Sequence, residues 1–338
     1  MKLPWTPAEL SARLSRRVDR IETVHVFEAR DASDLLRLRL HGDLTPALQT
    51  VILKRWTGTA LRVSSRAELR FQQQFAPAMH ADFVPELYAA HHDHEDAWLL
   101  MQDLSRDYAH PSLPFSAAQL EAAVDVLSEL HGFWWQHPRL EESDLFEAID
   151  DVTRMPQALT ISGIERNARR AETALETFRV AHESVFSRDD WRLLEAWLVI
   201  WPRVFAERTA NSAQVTLLHG DFHLPGNTFF TARDAQPMKV IDWAQHKRGL
   251  GAHDLAYALL SATDENRLER DEVLMRRYQA GLERNGVQGY TPRQCRWDYR
   301  FCLVTNLFQA VFHNSPRWLR RNLDVVRIWG LEDWMRTL

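Results

Sequence analysis

The pattern of apolar and polar positions changes along the chain. Within residues 36–40 leucine alternates with arginine, a period of two that predicts a half-buried strand. After a break at 42–46 a second strand is predicted over 50–56, so the two form an antiparallel pair. The short apolar run at 97–101 predicts a further buried strand. Helical spacing over 6–18 places a short helix before this β-rich part.

Helical periodicity dominates the rest of the chain. A second helix is expected over 64–79, with Leu69, Phe71 and Phe75 as packing residues. Long helices are then predicted at 117–135, 164–185, 189–205 and repeatedly after Asp271. Within 215–242 apolar patches flank polar loops, which indicates short strands that hold side chains in a cleft. We therefore expect an α+β, bilobal fold, with a small β-rich lobe at 1–103 and a larger, mainly α-helical lobe at 104–338.

Composition narrows the class of protein. Of the 338 residues, 45% are hydrophobic and 26% are charged, and the net charge of −5 arises from interleaved acidic and basic residues. Without a basic face, no nucleic-acid partner is expected. Cys295 and Cys302 are seven apart in a helical stretch, which predicts two buried thiols in a reducing cytosol. With no signal-like N-terminus and no apolar run near ~20 residues, we expect a cytoplasmic protein without a membrane partner.

The residues with the clearest chemistry lie in 217–230, LLHGDFHLPGNTFF, followed by Asp242 fifteen residues after Asn227. Each acidic or amide side chain comes shortly after an apolar strand. Metal-assisted phosphoryl transfer needs one carboxylate facing the acceptor hydroxyl, here Asp221. It also needs oxygen ligands for Mg²⁺, which an amide and a second carboxylate supply.

This segment resembles the catalytic loop of the aminoglycoside phosphotransferase and choline kinase superfamily, whose usual form is H-G-D-x-H-x-x-N. The resemblance implies a protein-kinase-like fold, ATP and Mg²⁺ as cofactors, Asp221 as the catalytic residue, and Asn227 and Asp242 as metal ligands. The loop departs from that form by one residue, since six positions rather than five lead from Asp221 to Asn227. We expect Gly226 to absorb the extra residue in a bulge or tight turn.

The resemblance also assigns a nucleotide site to the first lobe. Lys54 lies in an apolar strand, where an ammonium needs a partner such as phosphate, and Glu68 follows fourteen residues later as the carboxylate that orients it. Main-chain groups near Gln102 and Leu104 would meet the adenine. The expected phosphate-covering loop at 28–33 contains no glycine, so Ser33 is its candidate contact.

Three further features have structural interpretations. Asp254 is expected to cap a helix and to tie down the catalytic loop. His131 is expected to be a buried packing or hydrogen-bonding residue. The cluster at 91–94, His-His-Asp-His, is interpreted as a solvated loop and not as a metal site.

A protein kinase and a pseudokinase are the two alternatives to a small-molecule kinase. Asp254 follows Asp242 by only twelve positions and no A-P-E motif follows, which disfavours a protein kinase with a long activation segment. The missing glycines and the lengthened loop are compatible with a nucleotide-binding pseudokinase that has a regulatory or scaffold role. The acceptor is a small hydroxylated molecule, and an aminoglycoside, a choline-like amino alcohol and another metabolite all remain open, as does the oligomeric state.

Overall fold

The computed structural model describes residues 3–27, 33–56, 64–79, 81–93, 95–141, 159–210, 214–231, 235, 237–262 and 266–338. The chain divides into two compact units, each of two segments. The first unit comprises Met1–His110 and Phe229–Gln245, and the second comprises Pro111–Thr228 and His246–Leu338. The predicted boundary between residues 103 and 104 separates a nucleotide-binding lobe from a catalytic lobe. These two units are defined by compactness and not by function, so that boundary stays a prediction.

The described strands are β1 (Val18–Phe27), β2 (Ser33–Gly42), β3 (Thr50–Trp56), β4 (Leu87–His92), β5 (Ala97–Gln102), β6 (Tyr108–Ala109), β7 (Thr216–Leu218), β8 (Thr228–Thr231), β9 (Met238–Val240) and β10 (Lys247–Gly249). The described helices are α1 (Pro7–Leu14), α2 (Ser64–Arg70), α3 (Ala76–Met79), α4 (Ala117–Phe133), α5 (Ile161–His182), α6 (Arg188–Thr209), α7 (Leu224–Asn227), α8 (Ala252–Leu260), α9 (Arg267–Arg284), α10 (Pro292–Thr305), α11 (Leu307–Phe312), α12 (Pro316–Ile328) and α13 (Leu331–Met335). A π-helical segment, Phe71–Phe75, joins α2 to α3. The predicted α+β fold is thereby confirmed.

The first unit is built on a five-stranded antiparallel sheet with the strand order β1-β2-β3-β5-β4. The predicted strands correspond to β2, β3 and β5, and the antiparallel pairing of β2 with β3 is confirmed. The predicted first helix is shorter than expected, because Ser15 takes a left-handed conformation that ends α1. Val18, expected at the end of that helix, instead begins β1.

Alternation along β3 sends its side chains into two different environments. Val51 and Leu53 pack in a core cluster with leucines of β2. Trp56 packs instead with Leu69 of α2, as part of a smaller cluster. Because side chains two apart along a strand share a face, Lys54 faces the same side as Trp56, toward the α2 side of the sheet.

The second unit is mainly helical, as the sequence predicted. Helix α4 packs against α9, and α8 packs against α10. The two-stranded pairing of β7 with β10 lies in this unit and leads into the predicted catalytic loop, residues 219–227. Cys295 and Cys302 are buried and free on α10, which confirms two of the properties expected of them.

One loop assignment is wrong in part. His91 and His92 belong to β4, an edge strand of the five-stranded sheet, and His91 lies 2.9 Å from Asp93 just beyond the strand. His94 lies outside the described residues. Over the described part of the chain, none of the helices has the length and apolar character needed to cross a membrane.

Candidate active site

In the first unit, two carboxylates converge on the ammonium group of Lys54. Its Nζ donates to Glu68 Oε2 at 2.6 Å and to Asp242 Oδ1 at 2.9 Å. Lys54 and Glu68 are nearly inaccessible, with side-chain exposures of 14% and 2%, whereas Asp242 retains 35%. The exposed carboxylate of this group is therefore the one that can meet a ligand from solvent.

The ionisation of the pair follows from its surroundings. Burial favours the neutral amine, but the charges of Asp242 and Glu68 outweigh it and raise the pKa of Lys54 above its ordinary value. Burial raises the pKa of Glu68 to about 7, and the negative charge of Asp242 adds to that rise while Lys54 opposes it. The two acidic side chains therefore favour the charged form of Lys54. Ionised Glu68, by contrast, costs the folded protein free energy because it is buried.

Asp242 is fixed by the residues on either side of it. Its φ of 64° lies in the left-handed region, which is uncommon for a residue with a side chain. The next residue, Trp243, stacks on Phe71 of the π-helical segment with ring centroids 3.8 Å apart. Val240 donates its N–H to Phe83 O at 2.8 Å. Packing and main-chain bonding on both sides therefore hold an unfavourable backbone conformation at this position.

In the second unit, the predicted catalytic loop is anchored by Asp254. This carboxylate accepts from His219 N at 2.6 Å and from Gly220 N at 3.0 Å. Asp254 is the third residue of α8, and the N-cap is Gly251, so the predicted capping role is wrong. The predicted tie to the catalytic loop is confirmed by the two main-chain bonds.

Asp254 is buried together with His131, whose Nε2 lies 3.3 Å from Asp254 Oδ2 and whose Nδ1 lies 2.7 Å from Tyr278 OH. This confirms that His131 is a buried hydrogen-bonding residue. Burial alone would raise the pKa of Asp254, but the hydrogen bond and charge from His131 lower it to about 2. Asp254 is therefore a permanently charged acceptor for the loop.

Asp221 follows the two anchored residues, and each of its carboxylate oxygens accepts a hydrogen bond. Its Oδ1 accepts from Tyr257 OH at 2.8 Å, and its Oδ2 accepts from Asn227 Nδ2 at 3.3 Å. Asn227 Nδ2 also donates to Asp221 O at 2.8 Å. Because these contacts use the amide nitrogen of Asn227, its amide oxygen is the atom suited to a metal.

The extra residue between Asp221 and Asn227 is taken up in a helical turn, α7, and not in a glycine bulge. Asn227 N donates to His223 O at 2.8 Å, which closes the turn. Pro225 lies near the start of α7, where the absent N–H of proline costs nothing. A Cβ on Gly226 would lie 3.0 Å from His223 Nδ1, so this glycine serves close packing in the turn.

Tyr257 was missed by sequence reasoning. It lies three residues after Asp254 on α8, so that both side chains reach the same side of the helix, and this spacing was the available signal. Its ring lies 5.7 Å from that of Trp318 and 6.2 Å from that of His223, between centroids. His223 and Trp318 lie 6.5 Å apart. We call these three residues the aromatic cluster.

The remaining predicted contacts lie in the first unit. Ser33 is the first residue of β2 and stands opposite Trp56 of β3, while 28–32 lie outside the described residues. Gln102 ends β5 opposite Val51 of β3, and its N–H donates to Glu86 O at 2.9 Å. Leu104 is buried at the start of a 3₁₀ turn. Their roles in nucleotide binding stay predictions.

The residue types available as metal ligands indicate which ion could bind. Among the described residues there is no group of three or more His, Cys, Asp or Glu side chains that could hold an ion. The two candidate ligands are instead one carboxylate and one amide. Mg²⁺ is commonly bound by few protein oxygens together with substrate phosphates and water, so the chemistry of each of these two donors fits Mg²⁺ carried by a nucleotide.

Comparisons with known proteins agree with the motif. The family model described as the APH phosphotransferase enzyme family matches residues 31–290. Among solved structures, choline kinase LicA from Streptococcus pneumoniae aligns with a TM-score of 0.53 at 11% identity, covering 95% of this chain and 96% of that chain. No curated protein matches the sequence.

Two further structures have similar coverage. The gentamicin-APH(2")-IIa complex is 13% identical with a TM-score of 0.49, covering 94% of each chain. The microcompartment-associated aminopropanol kinase is 11% identical with a TM-score of 0.47, covering 98% of this chain and 99% of that chain. At these identities the likeness to LicA concerns the fold alone.

Proposed function

Because this chain belongs to the APH phosphotransferase family, we propose that it moves the γ-phosphate of ATP to a hydroxyl of a small molecule. The observation that carries the proposal is the contact of Lys54 with both Glu68 and Asp242. Burying a lysine with two carboxylates costs desolvation free energy, so stability alone does not account for this group. In kinases a lysine oriented by a glutamate neutralises nucleotide phosphates, and an aspartate binds the metal.

The nucleotide contacts are assigned to the first unit. Lys54 is proposed to neutralise the α- and β-phosphates, with Glu68 holding its ammonium in position. Ser33 is the proposed contact to the phosphates, and main-chain groups at Gln102 and Leu104 are proposed to bind the adenine. These assignments rest on the motif and on the position of each residue in the sheet.

Mg²⁺, when bound, would supply the positive charge that neutralises the charge developing during transfer. Asp242 and Asn227 are the proposed ligands, each through one oxygen. Asp242 keeps part of its carboxylate accessible, and the hydrogen bonds from Asn227 leave its amide oxygen for the metal. Lys54 already bonds to Asp242, so this lysine would orient the carboxylate as well as bind phosphate.

Asp221 is the proposed catalytic residue. Its carboxylate accepts the proton of the acceptor hydroxyl, or orients that hydroxyl toward the phosphate. Tyr257 and Asn227 bond to different oxygens of Asp221 and so restrict its rotation. Asp254 contributes by holding the main chain two residues earlier.

For the acceptor we propose contact with the aromatic cluster, because Tyr257 bonds directly to Asp221 and Trp318 is only partly buried. Aromatic rings suit the apolar face of a hydroxylated molecule and also a quaternary ammonium. An aminoglycoside, a choline-like amino alcohol and another hydroxylated metabolite therefore remain candidates. A reducing cytoplasm is proposed as the location, because both cysteines are free thiols.

The proposed roles separate nucleotide binding from transfer, and calorimetric titration can test this. A non-hydrolysable ATP analogue should bind the wild-type protein more tightly with Mg²⁺ than with EDTA. Lys54→Met and Asp242→Asn should each weaken binding in Mg²⁺ by about tenfold or more, as expected for a lost charge-assisted contact. Asp221→Asn should bind the analogue normally.

The exposed pair of Arg192 and Asp189 provides a matched control, since Asp189→Asn removes a carboxylate far along the chain from the motif. The proposed nucleotide site would be contradicted if the analogue bound equally well with Mg²⁺ and with EDTA. It would also be contradicted if Lys54→Met bound the analogue as tightly as wild type. Mg²⁺-dependent binding with no transfer to any acceptor would favour the pseudokinase instead.

A further inference from the structure

A cavity of about 620 Å³ lies in the second unit, lined by residues of α9 and α10. Four of its lining residues are arginines, namely Arg276, Arg293, Arg296 and Arg300. The lining contains one acidic residue from the described part of the chain, Glu272. Positive charge is therefore concentrated here in a protein whose net charge is −5.

The spacing of the residues explains how two helices build this lining. Arg293, Arg296 and Arg300 follow one another at three and four positions on α10, so they share one face of the helix. Glu272 and Arg276 are four apart on α9 and share a face in the same way. The buried side chains of Met275 and Cys295 also line the cavity, so its wall is partly apolar.

The single carboxylate neutralises only one of the arginines. Arg296 Nε donates to Glu272 Oε1 at 2.7 Å, and its guanidinium lies 5.5 Å from the Trp329 ring centroid. Arg276 and Arg293 are exposed, and within the described ranges neither has an acidic partner. Three guanidinium groups, of Arg276, Arg293 and Arg300, thus line the cavity without an ion-pair partner among the described residues.

Of these three arginines, Arg300 is the least exposed. Its guanidinium lies 4.8 Å from the Trp334 ring centroid, and its Nε is buried without a hydrogen-bond partner among the described residues. Burial lowers the pKa of Arg300, and the nearby charge of Arg296 lowers it further, while the charge of Glu272 opposes both effects. An anion between these two side chains would relieve both the repulsion and the unmet hydrogen bond.

We propose that this cavity binds a small molecule carrying two or more phosphate or carboxylate groups. Guanidinium groups bind such oxygens in pairs, and the volume is that of an ordinary small-molecule site. Gln279 and Gln294 also line the cavity and supply neutral donors for the same oxygens. A volume of about 620 Å³ suits a small anion, which is why small polyanions are the ligand class proposed here. This binding site is independent of the proposed phosphoryl transfer.

The probes are inorganic pyrophosphate and citrate, titrated calorimetrically into the full chain without Mg²⁺ or nucleotide. At least one of them should bind, and added salt should weaken that binding. The double variant Arg276→Gln and Arg293→Gln changes two exposed side chains and should retain the fold. It should raise the dissociation constant by about tenfold or more, whereas the exposed control Arg192→Gln should not.

Lys54→Met distinguishes this cavity from the proposed nucleotide site. Pyrophosphate binding that persists in Lys54→Met and is lost in the arginine double variant would support the proposal. Binding that is lost in Lys54→Met and retained in the double variant would overturn it. No binding of either probe at millimolar concentration would overturn it as well.

Discussion

Glu68→Gln is expected to stabilise the protein above neutral pH while it weakens nucleotide binding. Glu68 is 2% exposed and lies 2.6 Å from Lys54 Nζ. Glutamine has the same shape and can still accept this hydrogen bond through its amide oxygen. The substitution therefore removes the negative charge with little change in packing.

The magnitude follows from the pKa of Glu68, which burial and Asp242 raise from an ordinary 4.5 to about 7. One pKa unit corresponds to about 1.4 kcal/mol, so ionised Glu68 costs the folded state about 3 kcal/mol. This value already includes the attraction of Lys54. The folded state keeps the Glu68 proton through a pH range where the unfolded state has released it. The stabilisation from the bound proton is complete below about pH 4.5 and is lost as the pH rises through about 7.

The assay is urea unfolding of the nucleotide-free protein in EDTA, followed by circular dichroism at intervals from pH 4.5 to 8. Other titrating groups act in both proteins, so the difference between wild type and Glu68→Gln isolates this residue. The two should be similar at pH 4.5, and the variant should be more stable by up to about 3 kcal/mol at pH 8. Glu195→Gln, at a site 52% exposed, should show no such divergence. Parallel pH profiles for wild type and Glu68→Gln would refute the reasoning.

Two other substitutions test the loop around Asp221. Asp254→Asn removes a charged acceptor from two buried main-chain N–H groups and should lower the free energy of unfolding by about 3 kcal/mol, measured by urea unfolding. A loss no larger than that of the exposed control Asp324→Asn would contradict this. Tyr257→Phe removes the 2.8 Å bond to Asp221 and should lower kcat about tenfold with unchanged affinity for an ATP analogue. Equal losses in kcat and nucleotide affinity would show a general distortion instead.

The strands that sequence analysis predicted are those with a buried face. In β2 the buried leucines recur at every second position, and β3 was predicted with its observed bounds. Within the five-stranded sheet, the strands that sequence analysis missed are β1 and β4, the two edges. Most side chains of β1 are exposed, and no side chain of β4 is fully buried. Edge strands therefore lack the apolar alternation on which the prediction depended.

The candidate site could be predicted where its residues lie in one motif and not where distant segments meet. Asp221 and Asn227 belong to a single loop, and Lys54 stands out as a charge in an apolar strand. By contrast, the stacking of Trp243 on Phe71 and the bond from Tyr257 to Asp221 join residues far apart in sequence. The extra loop residue is part of a helical turn in which the N–H groups of Gly226 and Asn227 both donate to His223 O, a preference that local composition does not reveal.

The most direct test of phosphoryl transfer incubates the protein with Mg-ATP and a pool of hydroxylated metabolites, amino alcohols and aminoglycosides. Mass spectrometry then follows each compound for the gain of one phosphoryl group, with Asp221→Asn as the control. The account predicts a phosphorylated product with wild type and a rate about 10²–10⁴-fold lower with the variant. A product formed at the same rate by Asp221→Asn, or ATP bound with no compound phosphorylated, would contradict it.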